Sequence, residues 1–95
     1  MKVRWLNEGA RSLRSIHVHI ALDNPAAARR VVQRIKLSVE KLETFPAAGR
    51  VGQVAGTMEL VITSLPYIVI YRLTPESVDI LRVFHSATDW PGLLQ

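Results

Sequence analysis

The residue pattern predicts an α+β fold: an N-terminal strand, then an α-helical hairpin packed on one face of a small antiparallel sheet (β-α-α-β-β-β). Three observations carry that prediction. Residues 7–45 contain two runs with apolar residues at spacings of three and four, the helical period. Asn24-Pro25 stands between those runs, a helix N-cap followed by a proline at the first helical position. Residues 58–85 then hold three short runs rich in β-branched and aromatic residues, divided by turn formers.

Taken in order, Lys2-Val3-Arg4-Trp5 reads as a short strand, and Asn7 as the N-cap of the first helix, with Glu8 favourably placed near its positive end. Leu6, Ala10, Leu13, His17, Ile20 and Ala21 form its apolar stripe, and it ends around Asp23. The second helix carries the clearest stripe: Ala28, Val31, Val32, Ile35, Val39 and Leu42. Pro46 stops it near Phe45. So short a linker makes the two helices an antiparallel hairpin. Neither helix buries its stripe alone, so a sheet must cover them. That sheet comes from Met58–Thr63, Tyr67–Leu73 and Val78–His85.

Thr74-Pro75-Glu76-Ser77 is a four-residue hairpin loop. It sets Leu73 opposite Val78, Arg72 opposite Asp79 and Ile70 opposite Leu81. Period-two alternation then assigns Tyr67, Val69, Tyr71, Leu73, Val78, Ile80, Arg82 and Phe84 to one face. Ile68, Ile70, Arg72, Asp79, Leu81, Val83 and His85 fall on the other. Both faces are apolar and one helical hairpin covers only one of them, so the second either stays exposed or receives something else; an exposed apolar patch would mark an interaction surface.

Residues 1–95 are enough for one domain with an adequate core. Cysteine is absent, which excludes disulfides and thiolate metal sites. The longest apolar run, Tyr67 to Tyr71, is far short of the ~20 residues a membrane span needs. No apolar signal segment follows Lys2, so a cytoplasmic, soluble protein with no membrane association is the simplest reading. Twelve Lys and Arg against eight Asp and Glu give a net charge of +4, suited to an acidic partner or equally to an ordinary solvated surface.

Few residues suggest chemistry. Arg30 and Arg34 lie with Lys41 along one flank of the second helix, a contact strip for an acidic partner or a solvated face. Lys36 on the opposite flank has Glu40 in reach. Arg72 and Asp79 form a cross-strand ion pair. Arg82, on the tyrosine face, needs an acidic partner or a route to the edge if the helices cover that face. Arg50 follows Gly49 in a loop, a better place from which to touch a target. His17 is a boundary residue of the first helix and His19 a surface one. His85 ends the last strand, where a histidine can act as general acid or base, but no partner for it stands out. No catalytic triad spacing, metal-ligand cluster or phosphate loop is present.

The order Phe45-Pro46, Gly49-Arg50, Glu59-Leu60, Pro66-Tyr67, three aliphatics, Tyr71-Arg72, Ile80-Leu81-Arg82-Val83, His85 and Asp89-Trp90-Pro91 resembles the ParE branch of the RelE/ParE toxin superfamily. The resemblance spans essentially the whole chain, with Asn24-Pro25-Ala26-Ala27 between the helices. It implies an antiparallel sheet with the helical hairpin on one face, and a cognate antitoxin that wraps and neutralises the toxin. The RelE-like branch cleaves messenger RNA with basic side chains. Aligned on Pro66-Tyr67, its basic positions fall at Glu59, Val61, Ile68 and Thr88, none of them basic, and no Lys or Arg follows Arg82. The charged phosphorane of such a cleavage needs electrostatic stabilisation. The ParE-like branch, without those groups, inhibits DNA gyrase by protein–protein contact.

The resemblance therefore implies a type II toxin that is not an enzyme, has no cofactor, and meets nucleic acid only through its complex or its target. Its candidate contact residues are Arg30, Arg34, Arg50, Ile68, Ile70, Arg72, Leu81, His85 and Trp90. Two positions depart from the pattern: Met58 stands where an arginine often precedes the Glu-Leu pair, and Thr88 where Arg or Gln is common. The alternatives are an mRNA interferase using His85 with Arg72 or Arg50, and a degenerate, non-toxic antitoxin-binding module.

Overall fold

The computed structural model describes residues 1–88 and 90–94; Asp89, quoted above with Trp90 and Pro91, lies outside the described residues. The elements are β1 (Lys2–Trp5), α1 (Asn7–Ala21), α2 (Pro25–Glu40), β2 (Arg50–Val51), β3 (Met58–Val61), β4 (Tyr67–Leu73) and β5 (Ser77–His85). Single 3₁₀ turns follow α2 at Lys41–Glu43 and close the chain's described part at Pro91–Leu94. The α+β class and the helical hairpin on one sheet face stand as the sequence predicts.

The sheet has five strands in the order β1-β5-β4-β3-β2. It is mixed, because β1 runs parallel to β5 while the other pairs are antiparallel. The two-residue strand β2, read from sequence as loop, pairs Arg50 with Glu59 and Val51 with Met58. So short an edge carries no periodic signal of its own.

Helix boundaries follow local chemistry. The Asn24 side chain accepts a hydrogen bond from the Ala27 N–H at 3.0 Å, capping α2 as its sequence requires. At α1 the N-cap is Leu6, not Asn7, and no side chain caps it. The reason is that the Leu6 N–H is drawn to the Ile80 carbonyl at 3.1 Å, so the chain passes from the sheet into the helix without a turn.

That passage fixes how α1 lies on β5. A Cβ on Gly9 would stand 2.5 Å from the Ile80 carbonyl oxygen, so only glycine lets the helix approach this strand. Gly9 and Leu13 are the buried residues of α1, with Ile16 packed beside them. The expected stripe through Ala10 and His17 is thus rotated toward Gly9, a residue whose lack of side chain hides it from a hydrophobic pattern. Ile35, Val39 and Leu42 from the second helical segment join Val69, Tyr71, Val78, Ile80 and Val83 in the main core.

The β4–β5 register holds for Leu73 with Val78 and Arg72 with Asp79, then slips. Tyr71 faces Ile80, but Ile70 faces Arg82, so Leu81 is an extra residue in a β-bulge. The bulge sits where β1 leaves β5, since their pairing ends at Trp5 with Ile80. Beyond it the Val83 N–H donates instead to the Ser12 hydroxyl of α1 at 2.8 Å, and Ser12 donates to the Gly9 carbonyl at 2.9 Å. A helix side chain thus replaces the missing strand.

Candidate functional site

The bulge rewrites both faces of the hairpin. Val83 turns toward the helices, and Arg82 and Phe84 turn to the opposite face, the reverse of strict alternation. His85 goes to the side of Tyr67, whose ring it meets edge-on at 5.7 Å. It is exposed, its Nδ1 accepts the Ala87 N–H at 3.1 Å, and it does not share the face of Ile68 and Ile70.

Nor is the apolar part of that second face open. Ile68 is 8% exposed, Ile70 0%, Phe84 7% and Trp90 3%. Trp90 stacks on Phe84 at 6.1 Å and 19°, and Val54 from the β2–β3 loop packs against the same cluster. Of the two expectations for this face, exposed or covered, the second holds: the chain's own tail and loop cover the patch, so Ile68, Ile70 and Trp90 are not open contact residues. Leu81 is half-buried at the bulge. It lines a cleft of about 500 Å³ with Arg72, Arg82, Glu8 and residues of the loop 54–57.

What remains open is a set of arginines. Arg4 lies on the same face as Asp79 and Arg72, because Val3 and Trp5 point to the helix side. Arg4 holds the buried Asp79 with two hydrogen bonds, Nε to Oδ1 at 3.1 Å and Nη2 to Oδ2 at 2.9 Å. Arg72 approaches Asp79 only to 3.8 Å, so the expected cross-strand pair is the weaker half of a three-residue cluster. The Arg4 hydrogen bonds, and then that from the Ser77 hydroxyl at 2.7 Å, hold the Asp79 carboxyl below the usual range against the opposing effect of burial.

Arg50 is likewise anchored. Its Nε and Nη2 both lie 2.9 Å from Oε1 of Glu59, itself buried. It therefore belongs to a strand and not to a mobile loop. Arg82 reaches Glu8 at the start of α1 at 3.0 Å, with its guanidinium 5.1 Å over the Phe84 ring. Beneath these, on the helix side, the Tyr71 hydroxyl donates to the Pro46 carbonyl and accepts the Gly49 N–H, both at 2.9 Å. A Cβ on Gly49 would sit 2.7 Å from that oxygen. Burial first, offset by the Gly49 bond, keeps the Tyr71 phenol above its ordinary pKa. This is the physical reason for the Phe-Pro-Ala-Ala-Gly-Arg loop: one buried tyrosine ties it to the sheet.

Arg30 and Arg34 sit apart from this face, on α2. Arg30 is exposed, while Arg34 donates to the Thr63 carbonyl at 2.9 Å and so braces the end of β3. Lys36 and Glu40 form no ion pair among the described residues. Sequence reasoning missed the contacts of Arg4, Glu8, Ser12 and Gly9, whose partners are more than 70 residues away. Among the described residues no group of three His, Cys, Asp or Glu side chains is placed to hold a metal, and no helix is long and apolar enough to cross a membrane.

The fold is thus a mixed sheet with β1 parallel to β5, a helical hairpin on one face and a tail over the other. Residues 3–90 match the family described as ParE toxin of type II toxin–antitoxin system, parDE. The chain belongs to that family. It is 42% identical over 93 residues to Y4kP of Sinorhizobium fredii, a protein named as a toxin, covering 98% of this chain and 96% of the relative. It is 31% identical over 86 residues to toxin RelE2 of Caulobacter vibrioides, covering 90% and 96%. Among solved structures, a chain of the chromosomal ParDE toxin–antitoxin system from P. aeruginosa superposes with a TM-score of 0.81 at 28% identity, over 90% of this chain and 95% of that one. A chain of the RelBE2 toxin–antitoxin complex from Mycobacterium tuberculosis gives 0.59 at 25%, over 88% and 95%.

Proposed function

We propose that this toxin inhibits DNA gyrase by protein–protein contact, without chemistry of its own, and is held inactive by a cognate antitoxin. The observation that carries the reading is the match of residues 3–90 to the ParE family. Similarity to chains of the ParDE system and the RelBE2 complex supports the antitoxin as partner. The site chemistry agrees with a non-enzymatic role. Arg4 and Arg50 are fixed on buried carboxylates, and among the described residues no free histidine stands beside them to move the protons a cleavage needs. His85, the one strand-end acid–base candidate, stands on the Tyr67 side and not among the arginines.

The test is a gyrase reaction with purified toxin, ATP and relaxed plasmid, quenched with detergent and protease. Linear DNA that accumulates with toxin and disappears when antitoxin is added is the expected result. Normal supercoiling by a toxin that is folded and stops growth in cells would refute gyrase as target.

A further inference from the structure

The helix-free face of the sheet carries Lys2, Arg4, Arg50, Arg72 and Arg82, five of the chain's twelve Lys and Arg. The side chains of Arg4, Arg50 and Arg72 are 57%, 65% and 51% exposed, whereas Asp79 and Glu59 beneath them are 1% and 3% exposed. The layer that a partner meets is cationic, and its balancing carboxylates lie under it. Glu8, half exposed at Arg82, and Glu76, in the turn by Arg4, are the acids at its margin.

We propose that this face binds the phosphate backbone of duplex DNA directly, without reading sequence. Arg4 spends two of its five N–H donors on a buried carboxylate and Arg50 one, with its Nη2 also 2.9 Å from the same oxygen. The other donors are held outward on side chains already ordered, so little rotamer freedom is lost when a phosphate arrives. Strands about 4.8 Å apart set the outer strands roughly 19 Å from each other, enough to reach phosphates on both sides of a minor groove about 6 Å wide.

A protein partner would want an apolar centre, but the apolar part of this face is closed by Trp90 and Val54. Single-stranded nucleic acid would want exposed aromatic rings, and Phe84 and Trp90 are stacked on each other and buried. A polar, strongly cationic surface is what a duplex backbone takes. The choice of DNA over duplex RNA rests on the gyrase reading. The binding itself departs from the expectation that nucleic acid is met only through partners.

The test uses the purified chain and a fluorescein-labelled 20-base-pair random duplex, followed by anisotropy between 50 and 200 mM NaCl. Four phosphate contacts, one each at Lys2, Arg4, Arg50 and Arg72, predict a log–log salt slope near −3.6, a loss of about 150-fold over that range. Lys2→Gln with Arg72→Gln, neither the bidentate partner of a buried acid, should flatten the slope by about two and weaken binding at least about tenfold. Arg29→Gln with Arg30→Gln removes the same charge from α2 and should change affinity less than about twofold.

Equal losses from both doubles would reduce the effect to net charge and overturn the site, as would no binding of the unmodified chain at 50 mM. Tighter binding of a single strand or of duplex RNA would overturn the assignment to DNA. Displacement by poly-glutamate at lower concentration than by unlabelled duplex would point to an acidic protein instead. If circular dichroism shows the first double unfolded, Lys2→Gln alone carries the test with a slope change of about one. Because no gyrase is present, failure here leaves the gyrase proposal standing, and failure there leaves this one.

Discussion

The two faces of this sheet are built from the same strands yet closed by different means. The helix side is an apolar core in which Ile35, Val39, Tyr71, Val78 and Ile80 are fully buried. The opposite side divides in two: Ile68, Ile70 and Phe84 lie under Trp90, while Asp79 and Glu59 lie under arginines. The helices are committed to the sheet along their length, through the Gly9 approach, the Ser12 bridge and the Leu6 hydrogen bond. The tail is held by side-chain packing and the guanidinium layer by charge. A core held by interdigitation resists change, whereas a face held by packing on one side and ion pairs on the other is the part a partner can remodel.

Five substitutions break or sharpen that contrast. Ile35→Ala in the helix-side core leaves a cavity that fixed neighbours cannot fill, and should cost about 2–5 kcal/mol in chemical denaturation. Trp90→Ala should cost less, about 1.5–3 kcal/mol, because Trp90 lies outside the strands and its neighbours can move away and leave no cavity. Its signature should be increased binding of a hydrophobic dye as Ile68 and Phe84 become wet; equal costs for the two variants would erase the distinction between the faces.

Tyr71→Phe removes the hydroxyl shared by Pro46 and Gly49 and should lose about 1–3 kcal/mol, with faster proteolysis in the loop 45–50 as the readout. Asp79→Asn tests the ionic half. The folded carboxyl is held below its ordinary value of 3.8, so its contribution is fully present above that pH and fades as pH falls toward the folded value. The parent should therefore lose stability on acidification below about pH 4, and the Asn variant should show a shallower loss over that window. The smallest effect is expected for His85→Ala: stability within about 0.5 kcal/mol, and growth inhibition unchanged. Loss of toxicity with fold intact would move the protein toward the ribonuclease alternative.

The helical stripes, the Asn24 cap and the Tyr67–Leu73 strand were legible in the residues because each rests on short-range periodicity or on a side chain bonding three positions away. The Leu73–Val78 pairing was legible because a four-residue loop sets it. Of the candidate contact residues, Arg50, Arg72 and Leu81 do come to one face, while Ile68, Ile70 and Trp90 are buried on it and His85 is turned from it. The bulge at Leu81 accounts for much of that difference, and no local pattern announces it. It exists because β1 ends opposite Ile80 and α1 supplies Ser12 to the next free N–H.

Sequence by itself determined the class of fold, the two helices, the hairpin and the toxin superfamily, since these depend on local period and on a whole-chain order of motifs. Only the tertiary structure decided which face is open, which acid each arginine holds and what covers the second apolar patch. Those outcomes depend on contacts between residues 2–12 and 79–83, and between the tail and the sheet. Hydrogen bonds and burial choose such partners in three dimensions, where a one-residue slip reverses every side chain beyond it.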